Sequence, residues 1–139
     1  MIKILYTDEM IEGEPGPNFY WVGLPEDYLK LIMDLQDLGK HNDLEIELNR
    51  LNYVCVEGGI IVRAVSSAGG NILCERSESN VLMMLSPSLW RDIFHHFLAV
   101  AFYPCHDYLD FEGQNLVETA NYIISSEAGG FSPSSSKKH

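Results

Sequence analysis

The sequence predicts an α+β fold, in which two or three helices pack on one face of a mostly antiparallel β-meander sheet. Two periodicities support this class. Apolar residues recur every three or four positions in 28–38 and in 89–101, as in amphipathic helices. From 44 to 85, apolar and polar residues instead alternate, as in half-buried strands. The 139 residues suit one domain, expected over 1–128, and the Gly- and Ser-rich segment 129–139 is expected to be a flexible tail.

Two strands and one helix are expected in the first 40 residues. Residues 2–7 and 19–23 are rich in apolar, β-branched and aromatic types, which favours strands, and the acidic loop between them contains Pro15-Gly16-Pro17. Pro25 suits the first turn of a helix, and the two carboxylates that follow it complement the positive end of the helix dipole. Gly39 suits the C-terminal cap of this helix.

The middle of the chain is expected to form a meander of four or five short strands. Gly58-Gly59 predicts a hairpin turn between the second and third of them, and Gly69-Gly70-Asn71 predicts the next turn. The expected strands cover 44–49, 53–57, 60–66, 72–76 and 81–85.

Two further helices are expected after this meander. Ser86 suits an N-cap and Pro87 the first helical position, and Pro104 ends the same helix. A third helix is expected over Glu112–Ser126, because five apolar residues recur there at helical spacing. These five residues are Leu116, Val117, Ala120, Ile123 and Ile124.

Charge and composition exclude several classes of function. The chain has 20 acidic and 9 basic residues, a formal net charge of −11, whereas a nucleic-acid-binding protein normally carries a basic patch. The 3 cysteines are scattered, which favours reduced thiols in the cytoplasm over a disulfide framework or a zinc site. The sequence has no nucleophile elbow and no phosphate-binding glycine motif. We therefore expect a cytoplasmic protein that is not an enzyme and needs no cofactor.

The densest set of metal-ligating residue types follows the second expected helix. If 105–111 forms a strand, His106, Asp110 and Glu112 share one face, because alternate side chains of a strand point the same way. One imidazole and two carboxylates could bind a divalent metal ion. A small metal-dependent hydrolase centred on these residues is one alternative function, and a polar loop between two helices is the other interpretation of the segment.

Carboxylates are concentrated in residues 1–57, which hold 12 acidic and 4 basic residues. Such a cluster usually forms a solvated surface, but it can also steer a basic protein partner into contact. Tyr20 follows the acidic loop, where it is either buried in a strand or an aromatic hot spot rimmed by carboxylates. The residues expected to bind a partner are Asp8, Glu9, Glu12, Glu14, Tyr20, Asp34, Asp37, Glu45 and Glu47.

Two segments resemble the immunity proteins of bacterial contact-dependent growth inhibition and other polymorphic toxin systems. Several families of these proteins open with a strand that passes into an amphipathic helix, and a similar segment here is Gly23-Leu24-Pro25-Glu26-Asp27-Tyr28-Leu29-Lys30-Leu31. Some of them contain a His-x-x-Leu-Asp segment, which resembles His106-Asp107-Tyr108-Leu109-Asp110-Phe111.

The resemblance implies a protein that binds and neutralises a single partner. Such proteins bind a cognate toxin domain, often a basic nuclease, and cover its active site with carboxylates placed where the toxin expects phosphates. Their genes commonly lie beside those of the toxins. The partner is thus expected to be a protein, with no direct contact to nucleic acid or membrane. A non-catalytic adaptor subunit, monomeric or homodimeric, is the remaining alternative.

Overall fold

The computed structural model describes residues 1–11, 13–103, 106–109 and 116–126, with His106 described by its backbone alone. Within these ranges the chain forms two β-sheets and two α-helices. The strands are β1 (Ile2–Thr7), β2 (Asn18–Gly23), β3 (Glu45–Glu47), β4 (Val54–Val56), β5 (Ile61–Ser66), β6 (Ile72–Ser77), β7 (Asn80–Leu85), β8 (His106–Tyr108), β9 (Val117–Glu118) and β10 (Asn121–Ser126). The helices are α1 (Pro25–Leu35) and α2 (Pro87–Phe102), and short 3-10 turns cover Gln36–Gly39 and Leu48–Arg50.

The strands form two five-stranded sheets of mixed direction, and the α+β class is confirmed. The first sheet has the order β4-β1-β2-β10-β8, and the second has the order β3-β5-β7-β6-β9. Four of the strand pairs are parallel, namely β1–β4, β2–β10, β5–β7 and β6–β9. The expected single antiparallel meander is therefore corrected, since alternation along a strand does not specify which strands become neighbours.

The predicted glycine turns do not connect neighbouring strands. Gly58 and Gly59 have positive φ angles of 77° and 68°, which glycine adopts without a steric penalty. They join β4 in the first sheet to β5 in the second, so the predicted hairpin is wrong. The segment with Gly69 and Gly70 leads from β5 to β6, but β7 lies between these strands and pairs with β6 as the antiparallel neighbour.

The first two predicted helices are confirmed. α1 begins at Pro25 and ends at Leu35, and a 3-10 turn continues it to Gly39. At the start of α2 the hydroxyl oxygen of Ser86 accepts a hydrogen bond from the backbone N–H of Leu89 at 3.4 Å, as an N-cap side chain does.

The third helix, expected over Glu112–Ser126, is wrong. Residues 117–118 form β9 and 121–126 form β10, while 112–115 lie outside the described ranges. β10 lies between β2 and β8, and Tyr122–Ser126 are all buried. A strand that is covered on both faces carries a continuous apolar run, which periodicity does not distinguish from a buried helix.

The hydrophobic core combines inward-facing residues of both sheets with residues of both helices. Hydrogen bonds from buried tyrosines connect these layers. The Tyr28 hydroxyl in α1 donates to the carbonyl of Ser125 in β10 at 2.7 Å. The Tyr122 hydroxyl in β10 donates to the sulfur of Met83 in β7 at 3.3 Å, which links the two sheets. Each bond satisfies a polar group that would otherwise be costly to bury.

Candidate functional site

Three strand ends of the first sheet meet where the acidic loop lies. β1 ends at Thr7, which pairs with Asn18 at the start of β2. Asn18 also pairs with Asn121, the first residue of the parallel strand β10. The loop between β1 and β2 therefore lies beside the turn that leads into β10.

One buried asparagine fixes the shape of this loop. Asn18 is 0% exposed, and its side-chain Nδ2 donates to the carbonyl oxygens of Glu9 and Glu14, both at 2.9 Å. Gly16 lies so close to the end of β1 that a Cβ atom there would be 2.0 Å from the carbonyl oxygen of Asp8. These contacts fix the backbone of the loop, so the residues Asp8, Glu9 and Glu14 start from defined backbone positions.

An open cleft of about 690 Å³ lies between this loop, the end of β8 and the turn from β9 to β10. Glu14 and Glu118 contribute carboxylates, and none of the described residues in its lining is Lys, Arg or His. Tyr108 forms an aromatic wall and is 43% exposed. We call this feature the acidic cleft; its lining residues are Glu14, Pro15, Gly16, Pro17, Tyr108, Leu109, Glu118, Thr119, Ala120, Asn121 and Tyr122.

Asp8 and Glu9 extend the negative surface beside the acidic cleft. Both residues are exposed. Neither of them, nor Glu14, forms an ion pair with any residue in the described ranges. Carboxylates without an ion-pair partner among the described residues, next to an exposed aromatic ring, suit an ammonium or guanidinium group. Such a cation gains charge-assisted hydrogen bonds and can also contact the ring face.

The other predicted carboxylates form a second group around α1 and β3. Asp34 accepts a hydrogen bond from the Tyr53 hydroxyl at 2.7 Å. Arg63 lies 3.1 Å from a carboxylate oxygen of Glu45 and 4.0 Å from one of Glu47. Three of the four carboxylates are therefore partnered within the chain. We call the group the β3 carboxylates: Asp34, Asp37, Glu45 and Glu47.

The two groups are separated: Glu45 and Glu47 lie in the second sheet, and Asp34 lies at the end of the first sheet opposite the acidic loop. The backbone N–H of Ile2 donates to the carbonyl of Tyr53 at 2.7 Å, so Tyr53 and its partner Asp34 lie near the start of β1. The acidic loop follows Thr7 at the other end of the same strand. A strand of 6 residues extends about 17 Å. The carboxylates that the sequence assigns to one surface therefore belong to two.

The prediction that Tyr20 contacts a partner is corrected. It is 1% exposed, and it pairs laterally with Leu5 in β1 and Ile123 in β10. Ile11 from the acidic loop packs against the same small apolar cluster, which further removes this tyrosine from solvent. A partner cannot reach Tyr20 without displacing the residues that cover this cluster. Glu12, which was also expected to bind a partner, lies outside the described residues.

Two buried groups near these sites have raised pKa values. Burial, followed by the hydrogen bond to Asp34, raises the pKa of Tyr53 well above its usual range, so its hydroxyl remains a donor. Burial, together with the negative charge of Glu118, raises the pKa of Cys74 to about 12. Cys74 is therefore a protonated thiol at neutral pH rather than a nucleophile.

The metal site of the alternative hydrolase, at His106, Asp110 and Glu112, lies outside what the structure describes. Asp110 and Glu112 are not described, and only the backbone of His106 is. The described part of the chain contains no group of three or more His, Cys, Asp or Glu residues suited to a metal ion. It does contain one pair that sequence reasoning missed: Nδ1 of His96 in α2 lies 2.5 Å from Oδ2 of Asp107 in β8.

Sequence reasoning also missed Tyr108 and Glu118. They are ten residues apart in the sequence and far from the loop that carries Glu14. They line one cleft with Glu14 because β10 is inserted between β2 and β8. No local pattern signals such a convergence, which depends on strand order alone.

Comparison of the chain with protein-family models, curated proteins and solved structures finds no match. None of the helices in the described ranges is long and apolar enough to cross a membrane. The acidic cleft is thus the feature from which a function can be argued, because it combines open volume, two carboxylates without a cationic residue in its described lining, and an exposed aromatic ring.

Proposed function

We propose that this protein is an immunity-type inhibitor, which binds a basic toxin domain and neutralises it by covering its active site. The observation that carries the proposal is the acidic cleft. Its described lining contains carboxylates and no cationic side chain, and the exposed carboxylates of Asp8 and Glu9 lie next to it. A surface of this kind repels nucleic acid and attracts basic protein surfaces.

Long-range electrostatics supports fast encounter with such a partner. The formal net charge is −11, and exposed charges act over about 8 Å at physiological ionic strength. Charges within that range of the docking surface contribute most to steering. The carboxylates of the acidic loop are suited to this role, because no intramolecular ion pair in the described ranges has to be broken first.

Short-range chemistry supports retention of the partner once it has docked. The cleft volume of about 690 Å³ lies within the usual range of binding pockets, roughly 300–1,000 Å³. It can receive a lysine or arginine side chain together with part of the neighbouring backbone. Glu14 and Glu118 then offer acceptors for the cation, and the Tyr108 ring offers it a π face.

A binding titration tests the proposal. The titrant is the C-terminal domain of the protein encoded immediately upstream, since the resemblance implies that toxin and inhibitor genes are neighbours. We expect a salt-sensitive 1:1 complex with nanomolar affinity, and loss of the toxic activity of that domain in the complex. A domain that binds but keeps its activity would instead favour a non-catalytic adaptor.

Variants of the cleft then locate the contact. Glu14→Gln combined with Tyr108→Ala removes one carboxylate and the aromatic wall, and we expect the complex to dissociate at least about tenfold faster. Glu57→Gln is the matched control, because Glu57 is exposed, forms no ion pair in the described ranges and lies outside the cleft lining. Equal dissociation rates for the two variants would contradict the acidic cleft as the contact site.

A further inference from the structure

The second sheet buries one face and leaves the other open. Along β5 and β7 buried and half-buried residues alternate strictly. The two strands pair in parallel with Val65 opposite Met84, so their half-buried residues share one face. β6 adds Ile72, which pairs with Met84, and Glu75, which pairs with Leu82. We call this surface the open face; it comprises apolar Ile61, Val65, Ile72, Leu82 and Met84, and charged Glu45, Glu47, Arg63 and Glu75.

The apolar residues of the open face are half-buried and lie outside the packed core of the described residues. None of the five belongs to either cluster of packed apolar side chains. A sheet face that remains in water is normally polar at alternate positions. An apolar centre flanked by charged residues is instead the composition of a protein interface.

The size of the open face suits a small interface. Five strands at about 4.8 Å spacing, with central strands of six residues, cover at most about 24 Å by about 20 Å. That is roughly 480 Å² for one molecule and about 1,000 Å² for two facing copies, close to the smallest area of a specific interface. Interfaces of this size are typical of weak complexes, and we expect a dissociation constant on the order of 10 μM.

The open face carries one cation, Arg63, among three carboxylates, so individual ion pairs can form between two copies. Arg63 lies between the carboxylates of β3 and Leu82 of β7, so a cation stands among several anions. Two-fold rotation can bring Arg63 of one copy toward the carboxylates of the other. Two copies would repel each other at the acidic cleft, where no described lining residue is cationic.

We infer that the open face binds the same face of a second copy of this chain, forming a two-fold symmetric homodimer by sheet-on-sheet packing. The apolar centre of each copy covers that of the other, and the two sheets stack about 10 Å apart. The acidic cleft belongs to the first sheet, so dimerisation through the second leaves it available. This inference does not depend on the proposed inhibitor function.

Sedimentation velocity of the full chain tests the inference over about 1 to 500 μM, a range that brackets the expected dissociation constant. We expect the wild-type protein to pass from monomer to dimer within this range. Leu82→Lys places a charge at the centre of the open face, and we expect this variant to stay monomeric throughout. Leu29→Lys makes the same change on α1, where Leu29 is 36% exposed, and should dimerise as the wild type does.

Circular dichroism and thermal unfolding show whether Leu82→Lys is folded. If it is not, Met84→Gln tests the same face with a milder change and should weaken the dimer at least about tenfold. A wild-type protein that is monomeric at every concentration would overturn the inference, and so would a dimer that neither open-face variant weakens. A dimer weakened equally by Leu29→Lys would place the interface elsewhere and overturn it too.

Discussion

The acidic loop and the β3 carboxylates differ in how their charges are partnered. Both groups contain aspartates and glutamates from the first 57 residues, and both are largely exposed. Arg63 and Arg50 pair with the carboxylates of β3, whereas Asp8, Glu9 and Glu14 have no ion pair in the described ranges. A paired carboxylate has to exchange one partner for another when a basic protein binds, but an unpaired one does not. Equal negative charge in the sequence therefore does not mean equal capacity to bind a cation.

The largest expected effect concerns the backbone of the acidic loop, which carries Asp8, Glu9 and Glu14. Gly16→Ala brings a Cβ within 2.0 Å of the Asp8 carbonyl oxygen, so backbone must shift. We expect the free energy of unfolding to fall by about 1–3 kcal/mol in urea denaturation. Gly69→Ala is the control, because its Cβ would meet only the Ser67 hydroxyl at 3.6 Å, and its effect should stay within about 0.5 kcal/mol. Similar losses in both variants would show that the loop is not specially constrained.

The next effect separates the two groups in partner binding and rests on the proposed function. Asp8→Asn, Glu9→Gln and Glu14→Gln together should slow association with the toxin domain about tenfold and flatten its salt dependence, because steering charges are lost. Glu45→Gln with Glu47→Gln should change the rate less than about twofold, since β3 lies at the opposite edge of the second sheet from Glu118 in β9, roughly 19 Å away and beyond the screening length at physiological salt. Stopped-flow measurements at several salt concentrations make the comparison. A larger effect of the Glu45 and Glu47 substitutions would show that these carboxylates steer the partner more strongly than those of the acidic loop.

A smaller effect concerns the hydrogen bond between Tyr53 and Asp34. Tyr53→Phe should lower the free energy of unfolding by about 1 kcal/mol near neutral pH. Folding raises the pKa of Tyr53 above its usual 10.0, so its stabilising contribution is complete below pH 10 and is lost as pH rises further. Urea denaturation from pH 7 to 11 should therefore show a shallower alkaline decline in the variant. Parallel curves would mean that Tyr53 does not contribute to the pH dependence.

The smallest expected effect concerns the pKa of Cys74, which burial and the negative charge of Glu118 in the acidic cleft both raise. Glu118→Gln removes a negative charge that raises the pKa of Cys74, while burial continues to hold that pKa above its ordinary value. The ultraviolet absorbance of the Cys74 thiolate, taken as the difference from a Cys74→Ala variant, should then rise at slightly lower pH. Glu57→Gln should leave the profile unchanged. An identical profile for all three proteins would show that Glu118 does not act on this thiol.

Local signals in the sequence were sufficient to predict α1 and α2. Pro25 with its following carboxylates, and Ser86 with Pro87, mark helix starts whose physical cause lies within a few residues. β10 could not be predicted in this way. Ile123 and Ile124 fit a helical period equally well, and only the insertion between β2 and β8 makes them a strand.

The candidate site was predictable in part for the same reason. The acidic loop was identified because Asp8, Glu9 and Glu14 are close together in sequence. Tyr20 was misplaced because aromatic residues after a loop are as common inside a sheet as on its surface. Tyr108 and Glu118 reach the cleft through strand order, which depends on contacts across about a hundred residues.

Asn18 also determines at which stage of synthesis the acidic cleft can form. Its side chain braces the acidic loop through Glu9 and Glu14, and its carbonyl oxygen Oδ1 accepts a hydrogen bond from the side chain of Asn121 at 3.1 Å. The two asparagines are 103 residues apart, so a nascent chain cannot complete this junction until β10 has left the ribosome. Incomplete chains would therefore display the loop carboxylates without the cleft. Formation of the acidic cleft is thereby coupled to completion of the fold.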